Sequence, residues 1–138
     1  MYTKRAEICC LNAELRLGTK MITGIAAMQL VEQGKLSLDD SDILEKLCPE
    51  LKVVKQLQKF ENGKPVYRDK TKSITLRMLL THTAGFGYTF FNPNLVQWYE
   101  EEKKKGNIVD DEFSGEPKDI MLQPLIAEPG AEWNYGVG

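Results

Sequence analysis

Lys20 and Tyr135 are the residues of this chain whose settings fit proton handling. Lys20 stands at the head of an apolar stretch, Met21-Ile22-Thr23-Gly24-Ile25-Ala26-Ala27-Met28-Gln29-Leu30-Val31, and Tyr135 sits near the far end in Glu132-Trp133-Asn134-Tyr135-Gly136. A lysine on a helix has a natural partner three residues earlier, because those two positions share one face a turn apart. A serine there places its hydroxyl beside the amine. Burial and neighbouring cations then lower the lysine pKa until it can act as a base, and a helix N-terminus favours the developing negative charge. The Ser-x-x-Lys arrangement performs acyl transfer by this logic. The position three before Lys20 is Leu17, which has neither a proton to give nor a lone pair to attack with. Thr19 carries a hydroxyl but is adjacent to Lys20 and points about 100° away around a helix, so it is not expected to substitute. His82 is the only histidine, leaving a histidine-based triad a single candidate base.

Composition bounds the rest. With 138 residues, 42% hydrophobic and 28% charged, the chain is long enough for one domain with a real core and too apolar for a disordered segment. A net charge of −2 gives no electrostatic reason to expect nucleic acid, and no apolar run reaches the length of a membrane span. Met1-Tyr2-Thr3-Lys4-Arg5 is charged and no apolar h-region follows, so the sequence predicts no signal peptide and a cytoplasmic location. Cys9 and Cys10 are adjacent, and Cys48 makes the count odd; reduced thiols are expected rather than a disulfide framework. Cys48 reads as a small buried hydrophobe.

The positioning elements follow from local signals. Residues 1–16 are weakly patterned, with at most a short helix over Ala6–Leu17. From Thr19 a helix apolar on nearly every face is expected to be buried on most sides, closed by Gly34 in a left-handed cap. A second helix is predicted near Ser41–Leu47, capped by Asp40 or Ser41 and ended by Pro49. Asn62-Gly63 between two arms of Val53–Tyr67 predicts a hairpin, with Pro65 making the second arm an edge. Thr75 caps a short helix whose Leu76, Leu79 and Leu80 share a face. Asn92-Pro93 opens another helix that frays in Lys103-Lys104-Lys105-Gly106. Asn107 to Lys118 reads as a surface loop, Pro117 as the start of a short helix with Ile120, Met121 and Leu122, and Pro129-Gly130 as a turn. His82 reads as a loop-bracing side chain, and Trp98 and Trp133 as packing residues.

Three segments carry a family resemblance: Thr19-Lys20-Met21-Ile22-Thr23 with Ala26 to Leu36, Ile74-Thr75-Leu76-Arg77-Met78-Leu79-Leu80-Thr81-His82-Thr83-Ala84-Gly85, and Glu128-Pro129-Gly130-Ala131-Glu132-Trp133-Asn134-Tyr135-Gly136. In this order they resemble the beta-lactamase-related serine hydrolase family, which includes class C β-lactamases, D-alanyl carboxypeptidases, esterases and fungal polyketide transesterases. The Trp-x-Tyr-Gly ending is most similar to the fungal branch. The resemblance implies an α+β fold of the serine β-lactamase and penicillin-binding-protein transpeptidase type, mostly its helical region. Residues 17–138 would be the N-terminal half of such a domain, and residues 1–16 an atypical leading segment.

It also implies hydrolysis or acyl transfer on a small-molecule ester or amide through an acyl-enzyme. Lys20 would serve as base and Tyr135 as proton relay, with no metal, no organic cofactor, and no nucleic-acid or membrane partner. Leu17 occupies the nucleophile position, and the family's later strand with its oxyanion donor has no counterpart here. An inactive member is therefore expected, or alternatively a non-catalytic ligand-binding or interaction module built on the same fold.

Overall fold

The computed structural model describes residues 3–108, 120 and 122–137, with side chains from residue 18 onward. It divides into two units, Met1–Ser37 and Leu38–Gly138. The first unit is a single helix, α1, over Thr3–Glu32. The stretch expected to open near Lys20 thus begins at Thr3 and runs through residue 17 without a break. Neither Gly18 nor Gly24 interrupts the helix. Its C-terminus closes as the sequence predicts. Gly34 takes φ +67°, its N–H donates to Val31 O at 2.9 Å, and the Lys35 N–H donates to Leu30 O at 2.9 Å, the paired bonds of a Schellman cap.

The burial of α1 differs from expectation. Lys20, Gly24, Ala27 and Val31 recur on one face and are half-buried. Met21 and Ile22 are each 65% exposed, and Ile25 and Met28 are exposed as well. An all-round apolar pattern reports that a helix seeks neighbours on several sides.

The second unit contains α2 (Ser41–Leu47), α3 (Glu50–Val53), β1 (Lys55–Glu61), β2 (Lys64–Asp69), α4 (Leu76–Leu80), a 3-10 turn (Thr89–Phe91) and α5 (Pro93–Lys104). Asp40 caps α2 by accepting from the Asp42 and Ile43 N–H groups. Asn62 and Gly63 both have positive φ, as a two-residue turn of type I′ requires, and join β1 and β2 antiparallel. The other edge of β1 is met by Leu125, which accepts from the Leu57 N–H at 2.8 Å and donates to Lys55 O at 2.9 Å. Pro65 accordingly lies on the strand that has no further partner among the described residues.

Two apolar clusters hold these elements. Leu44, Leu51, Ile74, Ala84, Phe86 and Leu125 form one, with Cys48, Met78 and Leu79 packed against it. Fully burying Ile74 and Leu125 is worth about 1.5–3 kcal/mol each. Met78 joins this packing, whereas Leu80, expected on the buried face of α4, is exposed. Cys48 is half-buried, and burial pushes its thiol pKa up. Leu57, Trp98, Tyr99 and Ile108 form the second cluster. Leu95, Trp98 and Tyr99 make the buried stripe of α5, which Asn92 caps through the Asn94 and Leu95 N–H groups. The Trp98 indole N–H donates to the Tyr67 hydroxyl at 2.9 Å. Ile108 corrects the expectation of a surface loop from Asn107, since it is 4% exposed. Residues 109–118 of that loop, and the helix expected from Pro117 apart from Ile120 and Leu122, lie outside the described residues.

The segment after Leu125 returns across the loop that follows α4. The Ile126 N–H donates to Gly85 O at 2.7 Å, Gly130 to Thr83 O at 2.8 Å and Asn134 to His82 O at 2.9 Å. The return is pinned by Glu128, whose Oε1 accepts from the Thr71 N–H and hydroxyl, both at 2.7 Å, and from the Lys72 N–H at 3.1 Å. A second, buried polar tie comes from Gln123. Its amide donates to Gly87 O at 2.7 Å and accepts from the Tyr99 hydroxyl at 3.2 Å.

The exposed apolar residues of α1 predict a marginal isolated chain, since contiguous exposed apolar surface favours association. We expect a broad melt or aggregation together with binding of an apolar dye such as ANS. A sharp cooperative calorimetric transition of a soluble monomer would contradict this. Hydrogen bonds from Thr71 and Lys72 hold the Glu128 carboxyl below its ordinary pKa. Its stabilising effect is thus fully present above the unfolded-state carboxylate pKa and is lost as pH falls through the lower folded-state value. Glu128→Gln is expected to lower the urea midpoint, followed by tryptophan fluorescence, at neutral pH. The gap between variant and parent should close in acid, and a gap independent of pH would refute the latch.

Candidate active site

Each predicted site residue has a definite place in its own unit. Leu17 and Lys20 lie one turn apart on α1. Burial lowers the Lys20 pKa from its ordinary value, the direction a lysine base needs. The surrounding helix extends well before this position. It begins at Thr3, roughly 20 Å of axis before residue 17, so the positive end of the macrodipole is remote. The N–H of an interior residue is committed to the carbonyl four positions earlier. Thr19 is exposed, and its carbonyl accepts from the Thr23 hydroxyl at 2.9 Å.

Tyr135 and His82 come together in the second unit. Their rings lie 4.8 Å apart at 58°. Tyr88 contacts the same phenol ring at 5.5 Å, and Trp133 lies 6.4 Å from it. The backbone that brings these rings together explains the glycines of both motifs. Gly85 has φ +92° and a β-carbon there would meet the Ala127 carbonyl; a β-carbon on Gly136 would lie 2.5 Å from Phe86 O. Gly85 and Gly136 are thus contact points between two backbone segments, which explains why Tyr135 is followed by a residue without a side chain.

His82 occupies the left-handed region at φ +56°. It follows Thr81, the C-cap of α4, with its N–H donating to Leu79 O at 3.3 Å and the Thr83 N–H to Met78 O at 2.8 Å. Thr81 and Thr83 brace it on either side: the Thr81 hydroxyl donates to Arg77 O at 2.8 Å and lies 3.0 Å from the Thr83 hydroxyl. Arg77 is itself held by Asp39 through bonds of 2.7 and 2.8 Å. His82 takes part in this loop through its backbone, and its ring contacts that of Tyr135, which residue type and spacing do not announce.

A cavity of about 480 Å³ opens beside Tyr135, walled by Tyr88, Phe91, Ile126 and Trp133 with Asn92 and Asn134 among its polar groups. Trp98 packs as expected, but Trp133 does not, being 65% exposed. Tyr88 and Phe91 had no signal of their own in the sequence beyond being aromatic residues in a glycine-containing loop. A phenol at such a rim can give or take a proton from a bound group. Among the described residues no three His, Cys, Asp or Glu side chains gather as metal ligands, and no helix is long and apolar enough to cross a membrane.

Comparison with known proteins places this geometry. The Beta-lactamase family profile matches residues 18–137. The chain is 38% identical over 123 residues to "Acyltransferase mokF" of Monascus pilosus, covering 88% of this chain and 28% of that protein. It is 37% identical over 129 residues to "Lovastatin esterase" of Penicillium rubens, covering 90% and 30% respectively. Unliganded simvastatin synthase from Aspergillus terreus, as its selenomethionyl derivative, superposes with a TM-score of 0.69 at 32% identity, over 86% of this chain and 28% of that one. The chain thus spans less than a third of the length of these relatives. Its helices and small sheet are part of the beta-lactamase-like α+β fold, and the chain belongs to the Beta-lactamase family.

Proposed function

We propose that this chain presents the lysine–tyrosine portion of an acyl-transfer site whose nucleophile position is filled by Leu17, so that it engages an ester or acyl ligand without forming an acyl-enzyme. The observation that carries the reading is Leu17 itself, one turn before a half-buried Lys20 within an unbroken helix. The family chemistry is covalent through a hydroxyl oxygen. Lys20 as base and Tyr135 as relay would move a proton to and from that oxygen, and a hydrocarbon side chain gives them nothing to activate.

The relatives' names, an acyltransferase and an esterase, favour a small-molecule ester or acyl group as the ligand. On this reading residues 17–138 correspond to the leading part of a longer β-lactamase-related domain and residues 1–16 to an atypical extension. The match over residues 18–137 and the small share of each relative that is spanned support it. The cavity of about 480 Å³ beside Tyr135 favours the second reading as well, a ligand-binding module that keeps a pocket after losing the covalent step.

Intact-mass spectrometry tests the proposal. After incubation with a fluorophosphonate probe or a p-nitrophenyl ester, the unaltered chain is expected to gain no mass. A covalent adduct would overturn the non-catalytic reading.

A further inference from the structure

We propose that His82 is the positioning residue for Tyr135, its imidazole fixing the direction of the phenol at the mouth of the cavity. The proposal rests on the reading of Tyr135 given above. The molecule contains two helix caps of the same kind. The cap of α1 uses Gly34 at φ +67°, the residue for which the left-handed region carries no penalty. The cap of α4 places a histidine there at φ +56°, against the steric preference of a residue with a β-carbon. What a glycine would lack at position 82 is the ring, and the ring lies 4.8 Å from that of Tyr135, nearer than Tyr88 at 5.5 Å or Trp133 at 6.4 Å. Trp133 is 65% exposed. The backbone of His82 acts on the same target, since its carbonyl accepts from the Asn134 N–H at 2.9 Å. One residue thus holds the Tyr135 segment by its main chain and the phenol by its side chain.

The test is NMR on the full chain with ring-labelled tyrosine, the Tyr135 signals being identified by their loss in Tyr135→Phe. His82→Asn keeps a residue tolerant of the left-handed region but removes the ring, and His82→Phe restores an aromatic face. The Tyr135 signals are expected to move toward those of a mobile tyrosine in His82→Asn and to stay near the parent values in His82→Phe. Unmoved signals in His82→Asn, or equal movement in both variants, would overturn the proposal. The Trp98 indole N–H signal monitors the fold, because it depends on the bond to Tyr67. Should it vanish in either variant, the reciprocal measurement decides. His82 is the only histidine, and its Cε1–H signal should shift in Tyr135→Leu; an unshifted signal would overturn the proposal. A covalent acyl adduct is read by mass and would remove the non-catalytic reading, whereas the ring contact is read from the variants without any ligand, so the two failures are separable.

Discussion

Three carbonyls of one short loop, those of His82, Thr83 and Gly85, accept N–H groups from one returning segment, those of Asn134, Gly130 and Ile126. The geometry around Tyr135 depends on this docking. It requires two backbones to approach more closely than side chains permit, which is why Gly85 and Gly136 sit at the contact points. Each net hydrogen bond adds only about 0.5–1.5 kcal/mol, so the docking relies on support from both sides. Leu125 delivers the segment by bridging to β1, Gln123 ties Gly87 to α5 from within, and Glu128 holds it to Thr71 and Lys72. Two motifs that resemble a chemical signature are therefore also a structural one. The threonines, the left-handed histidine and the glycines explain each other through packing and hydrogen bonding, whether or not a reaction follows.

The chemistry-bearing residues of α1 stand in a different physical situation. Lys20 has the burial that makes a lysine a better base, yet the helix around it begins well before residue 17. An interior position lacks the free N–H groups and the dipole end that stabilise a developing oxyanion.

Much of the second unit was legible from short-range signals. Asp40, Thr75 and Asn92 cap the helices they were expected to cap, Asn62-Gly63 turns the hairpin, and Gly34 ends α1. Each is a local contest between backbone conformations that a few residues decide. What escaped the sequence depends on distant partners. The continuation of α1 before residue 17 has no clean apolar stripe to announce it. The exposure of Met21 and Ile22, the burial of Ile108 and the exposure of Trp133 follow from which surfaces meet, and periodicity does not encode that. Lys20, Tyr135 and Leu17 were singled out by residue type and spacing. The contact of His82 with Tyr135 was not, because it depends on how a left-handed cap and a returning segment converge.

Amide hydrogen exchange resolved to single residues tests the docking most directly. The N–H groups of Ile126, Gly130 and Asn134 should be protected together, to a degree similar to the Leu57 N–H that bonds Leu125. Rapid exchange at Gly130 and Asn134 while Leu57 remains protected would contradict the structure described for the Tyr135 segment.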